Sequence, residues 1–394
     1  MRVAYLLADP GIPVGGTKGA SVHVQELCRA LFARGVDVTL VAQRATSDPP
    51  AGVELVTLDP GPVPRGPAGE LSRIEAARDF ERRALPVLET IVPDLVYERL
   101  SLFFSGGGRL ARHLGAARLL EVNAPVAAER ERYGGLCRRH EADLAETSAI
   151  EGAHVLAVSE PLAAWALERG AAAAEVVPNG VDADRFAPDR TAAAGRAIRE
   201  GLSLLGCEVV GFVGSLKEWH GTDVLIRAAA ALACSRPRLR VLVVGDGPER
   251  SNLERLTKDG GLSELVVFTG AVPAAAVPEH LAALDVACAP YLPAKGFYFS
   301  PLKVVEAMAA ALPVVASRFA PIEAMLGGTG LLVSPGDPGA LATGIASLLD
   351  DRGLAARLGG AARLRAATSH SWDGVARRTL DAAGLAGAKR AWVR

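Results

Sequence analysis

The chain alternates short apolar, β-branched runs with longer segments whose apolar residues recur at helical spacing. That alternation limits the fold sharply. Strands that read as continuous apolar runs are buried on both faces, and repeated strand–helix–strand crossovers make them parallel. Arg2–Ala8 reads as the first strand, followed by a glycine-rich loop from Pro13 to Ser21. A helix carrying Val24, Leu27, Cys28, Leu31 and Phe32 on one face comes next, then a strand over Val36–Ala42. Further strands are predicted at 53–58, 95–98, 118–122 and 154–159. A second series opens near residue 208, with strands at 209–214, 239–245, 266–269, 285–290, 314–317 and 330–333. Between the series, Val177 to Pro188 is dense in turn formers and suits a hinge. The expectation is two α/β domains, 1–180 and 181–371.

At 394 residues the chain is long enough for two such cores. Basic and acidic residues number 43 and 44, a balance that gives no field for nucleic acid or an anionic membrane surface. No apolar stretch approaches the ~20 residues of a membrane span, so no stable membrane insertion is expected. The first apolar run is too short for a signal peptide, which points to a cytoplasmic protein. Five scattered cysteines, Cys28, Cys137, Cys207, Cys234 and Cys288, lack metal-ligand spacing and read as reduced core residues. Ala/Gly-rich stretches at 66–78, 170–175 and 192–196 read as compositional bias rather than disorder.

Lysine is scarce, with only residues 18, 217, 258, 295, 303 and 389. Four of them stand in or beside Gly/Pro-rich strand-to-helix turns, where a compact ammonium suits a phosphate. For Lys295 the exposure of a loop is an equally good account. The segment Tyr298-Phe299-Ser300-Pro301-Leu302-Lys303 opens a helix that carries Glu306 one turn further in. A helix start offers free amides and a positive dipole end to an anion, and a carboxylate there can accept from sugar hydroxyls. Gly15, Gly16, Lys18 and Gly19 form a second candidate phosphate loop, with a tight turn as the plainer account. Their spacing is neither that of a P-loop nor that of the dinucleotide fingerprint. Gly214, Ser215, Lys217 and His220 follow the first strand of the second series, where open α/β sheets bind ligands. Asp182-Ala183-Asp184 lies in the hinge and reads as turn chemistry rather than a metal site.

Taken together these segments resemble glycosyltransferase family 4, the retaining nucleotide-sugar transferases of GT-B fold. The resemblance rests on the Gly-Gly loop and its Val-His-Val-Gln-Glu-Leu helix, on Pro178–Asp182, and on Phe212-Val213-Gly214. It continues through Val244–Pro248, Phe268-Thr269-Gly270, Glu306–Ala309 and Pro313–Ser317, and so spans almost the whole chain. It implies two Rossmann-like domains facing across a cleft, with a C-terminal helix over 372–394 crossing back to the first. By the same resemblance the second domain binds the donor and the first the acceptor. Gly270, Ala271 and Val272 would hold the base and Glu306 the ribose. Amides near Leu302 and Lys303 would hold the diphosphate, with Gly16, Gly214 and Gly245 in the same set. Asn123 and Glu129 are candidate sugar or acceptor contacts, and Lys217, His220 and Asn123 the candidate catalytic groups.

Three departures stand out. The family's diphosphate-binding Arg and Lys fall on Ser215 and His220, and the first of its two glutamates falls on Tyr298. Ala311 replaces a usual glycine. The resemblance implies a glycosyltransferase that requires no cofactor, with a UDP- or GDP-linked sugar as co-substrate, and the Arg-over-Lys and Ala bias points to a bacterial protein. Its acceptor is expected to be a small molecule, and homo-oligomerisation stays open. The rivals are a nucleotide-sugar epimerase of the same fold and a catalytically silent nucleotide-sugar-binding protein.

Overall fold

The computed structural model describes residues 1–64, 66, 68–294 and 296–391. Lys295, residue 67 and residues 392–394, on which parts of the expectations fell, lie outside the described residues. The chain divides into two compact units. Unit 1 comprises Met1–Asn179, Tyr298–Ser300 and the chain from Trp372 onward; unit 2 comprises Gly180–Phe297 and Pro301–Ser371.

Unit 1 holds β1 (Arg2–Leu7), β2 (Asp37–Ala42), β3 (Glu54–Thr57), β4 (Leu95–Arg99), β5 (Ala117–Val122), β6 (His154–Ala157) and β7 (Ala173–Val176). They form one parallel sheet in the order β3-β2-β1-β4-β5-β6-β7. The strand β7 was not anticipated. Its sequence, Ala-Ala-Glu-Val, has little β-branched character, and it takes its ladder from β6 as an edge strand. Glu175 there pairs with His154 of β6 at 2.6 Å. The Ala/Gly-rich segments near 66–78 and 192–196 fall in the helices Ala68–Ile91 and Pro188–Gly201. The first helix, Gly19–Ala33, buries Val24, Leu27, Cys28 and Leu31 as its spacing predicts, whereas Phe32 is 43% exposed and covers Gly52. The helix Trp372–Ala391 packs on Gly19–Ala33 and on β5, and a two-pronged Arg34–Asp373 ion pair, 2.7 and 2.8 Å, holds its first turn.

Unit 2 holds β8 (Glu208–Val213), β9 (Leu239–Val244), β10 (Val266–Gly270), β11 (Val286–Ala289), β12 (Val314–Ser317) and β13 (Leu331–Val333). Their order is β10-β9-β8-β11-β12-β13, again parallel. In both sheets the chain winds outward from the first strand to one edge and then returns to build the other side. The strand order thus reverses between β1 and β4 and between β8 and β11, the points where such sheets leave a crevice at the strands' carboxyl ends. Aliphatic side chains of β8, β9, β11 and β12 pack with the helices Thr222–Ala233 and Pro338–Asp350 into the core of unit 2. Asp337 caps the second of these helices through the Ala340 amide at 2.9 Å.

The short helix Leu302–Ala309 ends in a left-handed turn at Ala311, φ +56°, where a glycine is usual. The Leu312 amide closes that turn on the Ala307 carbonyl at 3.1 Å. A Cβ in this conformation costs about 1 kcal/mol, partly offset by the stiffer unfolded chain. Ala311→Gly is therefore expected to stabilise the protein by up to about 1 kcal/mol, read as a higher midpoint in denaturant unfolding.

Three cysteine assignments need correction. Cys28 and Cys288 are buried, but Cys137 and Cys234 are exposed and Cys207 half-buried, so the five are not uniformly core residues. Among the described residues no helix is long and apolar enough to cross a membrane.

Candidate functional site

The strongest concentration of predicted residues lies in unit 2, at the switch point between β8 and β11. Three loops meet there because glycine lets them. The Gly214 amide donates to the Val244 carbonyl at 2.9 Å, and the Gly245 amide to the Gly270 carbonyl at 2.9 Å. Gly245 takes φ +139°, and a Cβ on it would stand 1.9 Å from the Gly214 carbonyl oxygen. The loops after β8, β9 and β10 are thus stitched edge to edge with bare backbone. Ser215 and Ala271 are exposed beside this stitch, and Val272 is half-buried.

Leu302–Ala309 begins beside the same loops. Its N-cap, Pro301, supplies no side-chain acceptor to the first-turn amides. Lys303 runs from this helix to Gly214, where its Cε and Nζ lie 3.0 and 3.1 Å from the position a Cβ would take. The ammonium sits over two rings, 4.1 Å from the centroid of Phe212 on β8 and 5.3 Å from that of Tyr291 just after β11. Although the residue keeps some surface, Nζ is enclosed and has no hydrogen-bond partner among the described residues. Burial pushes Lys303 down to about 7, with Lys217 adding to the fall and Glu306 opposing it. Its Glu306 neighbour is the predicted ribose carboxylate.

His220 approaches the Ser215 carbonyl through Nδ1 at 2.5 Å, so Nδ1–H donates and Nε2 keeps its lone pair. Burial and then the Lys303 charge push it down to about 2, leaving a neutral imidazole at physiological pH. The departure expected at this position, a histidine where the resemblance implies a lysine, thus leaves no fixed charge there in the free protein. Lys217 lies over the Trp219 ring at 4.6 Å.

In unit 1 the Gly15–Gly19 loop precedes the first helix, with Lys18 exposed at its N-cap. The need for glycine here is met locally: a Cβ on Gly15 would strike the Ser47 hydroxyl and one on Gly16 the Ser21 hydroxyl. His23 of that first helix and Asn179 of Pro178–Asp182 meet in a buried charged cluster whose pairing the sequence did not disclose. Glu121 of β5 accepts from the Tyr5 hydroxyl at 2.8 Å and from Arg99 at 3.2 Å, and contacts His23 Nε2. His23 Nδ1 meets Asn179 Oδ1 at 2.7 Å and its ring meets Trp372 edge-on at 5.1 Å. Burial alone would raise the Glu121 carboxyl, but His23 and Arg99 beside it hold it well below the usual range.

Tyr298–Ser300 belongs to unit 1 rather than to the second domain, and three hydrogen bonds explain why. Ser159 donates to the Tyr298 carbonyl at 2.7 Å, the Asn179 amide nitrogen Nδ2 to the Ser300 carbonyl at 2.5 Å, and the Tyr298 hydroxyl to Glu129 at 2.7 Å. Tyr298, where the resemblance implies a glutamate, therefore holds a carboxylate by hydrogen bond. Phe299 leans on the Tyr298 ring at 4.4 Å. Asp182 accepts from the Asp184 and Arg185 amides at 3.1 Å each, the turn expected of that segment. An open groove between the helices Thr222–Ala233 and Arg250–Asp259 touches the loop after β8 at Lys217 and Glu218, and its Asp223, Arg227 and Asp259 are ordinary surface charges.

Two parallel Rossmann-like sheets, with a glycine-stitched crevice and a helix start at the second sheet's switch point, define the GT-B class. Residues 17–185 match the family described as Glycosyltransferase Family 4, and residues 207–351 match Glycosyl transferases group 1. The chain is 31% identical over 410 residues to a D-inositol 3-phosphate glycosyltransferase of Corynebacterium jeikeium, covering 95% of this chain and 94% of that one. It therefore belongs to glycosyltransferase family 4. It is also 39% identical over 206 residues to a GDP-mannose-dependent α-(1-6)-phosphatidylinositol monomannoside mannosyltransferase of Mycolicibacterium smegmatis. That match spans 51% of this chain and about half, 53%, of the relative. The fold is similar to that of sucrose-phosphate synthase from Thermosynechococcus elongatus, with TM-score 0.77 and 22% identity over 97% of this chain and 98% of that one.

Proposed function

We infer that the chain is a retaining glycosyltransferase that moves a sugar from a GDP- or UDP-linked donor to a hydroxyl of a small polyol or sugar acceptor. The observation that carries this reading is the junction in unit 2 of bare glycine backbone, an uncapped helix start and a lysine. Such a junction accepts a diphosphate. The Gly270–Val272 backbone would take the base, Glu306 the ribose hydroxyls, and the amides at Leu302 and Lys303 the phosphates. Those amides and the lysines would stabilise charge as it develops on the leaving diphosphate. Retention is implied by the family, with the departing phosphate taking the proton of the incoming hydroxyl. Unit 1 would supply the acceptor side, with Glu129 held by Tyr298. The GDP-mannose and inositol phosphate in the relatives' names favour a guanosine donor and a cyclic polyol acceptor.

The test is release of nucleoside diphosphate from GDP-mannose and UDP-glucose, with inositol phosphates and simple sugars as acceptors. Acceptor-dependent release from one donor is expected. Glu306→Gln should weaken that donor's KM about tenfold, the worth of a hydrogen bond to a charged group. Turnover of the donor without acceptor would point to the epimerase, and tight binding with no turnover to the silent binder.

A further inference from the structure

We propose that Lys303, delivered from the start of its helix to the Gly214 loop, has taken over the charge-neutralising task that Ser215 and His220 do not perform. The inference rests on the donor reading above, since it assumes that a sugar-linked diphosphate occupies the Gly214 crevice.

Geometry carries it. Ser215 has no charge, and His220 is a hydrogen-bonded neutral imidazole whose Nδ1 is committed to the Ser215 carbonyl. Lys217 lies against Trp219. Lys303 alone of these residues places an enclosed cation directly beneath the glycine stitch, between the rings of Phe212 and Tyr291. Those rings exclude water and attract the charge only through their quadrupoles, so three N–H donors go without an acceptor among the described residues. An ammonium so placed is a site waiting for an anion. The groups facing it do not supply one in contact: Tyr291 is a buried phenol pushed up by burial, His220 is neutral, Lys217 is a like charge, and Glu306 lies a turn away on the same helix.

Proton linkage follows. In the free protein burial holds Lys303 at about 7, so near neutrality a large fraction is the uncharged amine. A diphosphate favours the ammonium, so donor binding takes up a proton. Donor affinity should then fall about tenfold between about pH 6 and about pH 8, as the binding-competent fraction shrinks. The sign for the free protein is opposite. A lysine lowered from 10.5 to about 7 binds fewer protons folded than unfolded, so stability rises with pH across that window.

The experiment is calorimetric titration of the full chain with GDP-mannose and UDP-glucose, whose doubly esterified diphosphates do not titrate near neutrality. It is run in two buffers of different ionisation enthalpy at about pH 6 and about pH 8. Wild type is expected to bind one donor with net proton uptake and the tenfold pH dependence. Lys303→Met should bind at least about tenfold more weakly at the lower pH and take up no proton, whereas Lys303→Arg should bind without pH dependence. Thermal unfolding of donor-free protein checks each variant's fold, and its rise in stability above about pH 7 should vanish in Lys303→Met. Wild-type affinity and proton uptake retained in Lys303→Met would overturn the inference and leave the donor reading intact. Failure of both donors to bind wild type would overturn the two together.

Discussion

Glu121→Ala is expected to cost unit 1 about 3–5 kcal/mol, the toll of leaving a buried charge without its partner. Glu121 is 2% exposed and Arg99 is 6% exposed, so neither can turn to water when the other is removed. Removal would also strip an acceptor from the Tyr5 hydroxyl and the contact that orients His23. His23 in turn holds Asn179, and Asn179 holds the Ser300 carbonyl, so the loss should spread to the Tyr298–Ser300 segment. A lower denaturant midpoint and faster hydrogen exchange in β1, β4 and β5 would report it, with β8 to β12 unchanged. Glu121→Gln keeps the shape and separates charge from packing. The pH dependence has a definite sign. A carboxyl whose folded pKa is depressed contributes stability that is complete above its unfolded value of about 4.5 and fades as pH falls toward the folded one. Wild type should therefore lose stability steeply below about pH 5, and Glu121→Gln should show a shallower acid limb. An unchanged limb would mean that Glu121 is not the group held acidic.

What the sequence disclosed follows from how local each signal is. Continuous apolar runs such as Val209–Val213 and Leu239–Val244 identify buried parallel strands because their own side chains carry the message. The edge strand Ala173–Val176 borrows its ladder from a neighbour and carries no such message. Lys303 was legible as a lysine at a helix start. Its ring enclosure was not, because Phe212 near the end of β8 and Tyr291 just after β11 stand apart from it in sequence. The same holds for Tyr298, whose partner Glu129 lies 169 residues away. The resemblance implies a glutamate where Tyr298 stands; that the Tyr298 hydroxyl instead donates to Glu129 is visible only in the fold. His220 shows the converse limit: its place in the loop after β8 is read from sequence, but burial beside Lys303 determines its charge. The glycines of the first loop were legible as an unusual cluster, though the atoms demanding them, on Ser47 and Ser21, belong to the protein itself.

Gly245→Ala is expected to abolish donor binding and to lower the stability of unit 2 by about 3–5 kcal/mol, summing strain with orphaned amides. The added Cβ would sit 1.9 Å from the Gly214 carbonyl, far inside contact distance, on backbone that cannot step aside. Its φ of +139° is strained for any residue with a side chain. Relief requires the β8 and β9 loops to part, which breaks the amide bonds from Gly214 to Val244 and from Gly245 to Gly270. The same parting would draw Gly214 away from Lys303 and expose the ammonium to water. Lys303 should then titrate nearer its ordinary value, and the rise in free-protein stability with pH should flatten. A paired control separates this from a general intolerance of alanine. Gly360 lies inside the helix Arg352–Ser369 with nothing within 4 Å of its Cβ position, so Gly360→Ala should stabilise by about 0.5–1 kcal/mol. Should Gly245→Ala bind GDP-mannose or UDP-glucose as tightly as wild type, the stitched glycines would be structural alone, and the diphosphate would have to be sought away from the β8–β11 switch point.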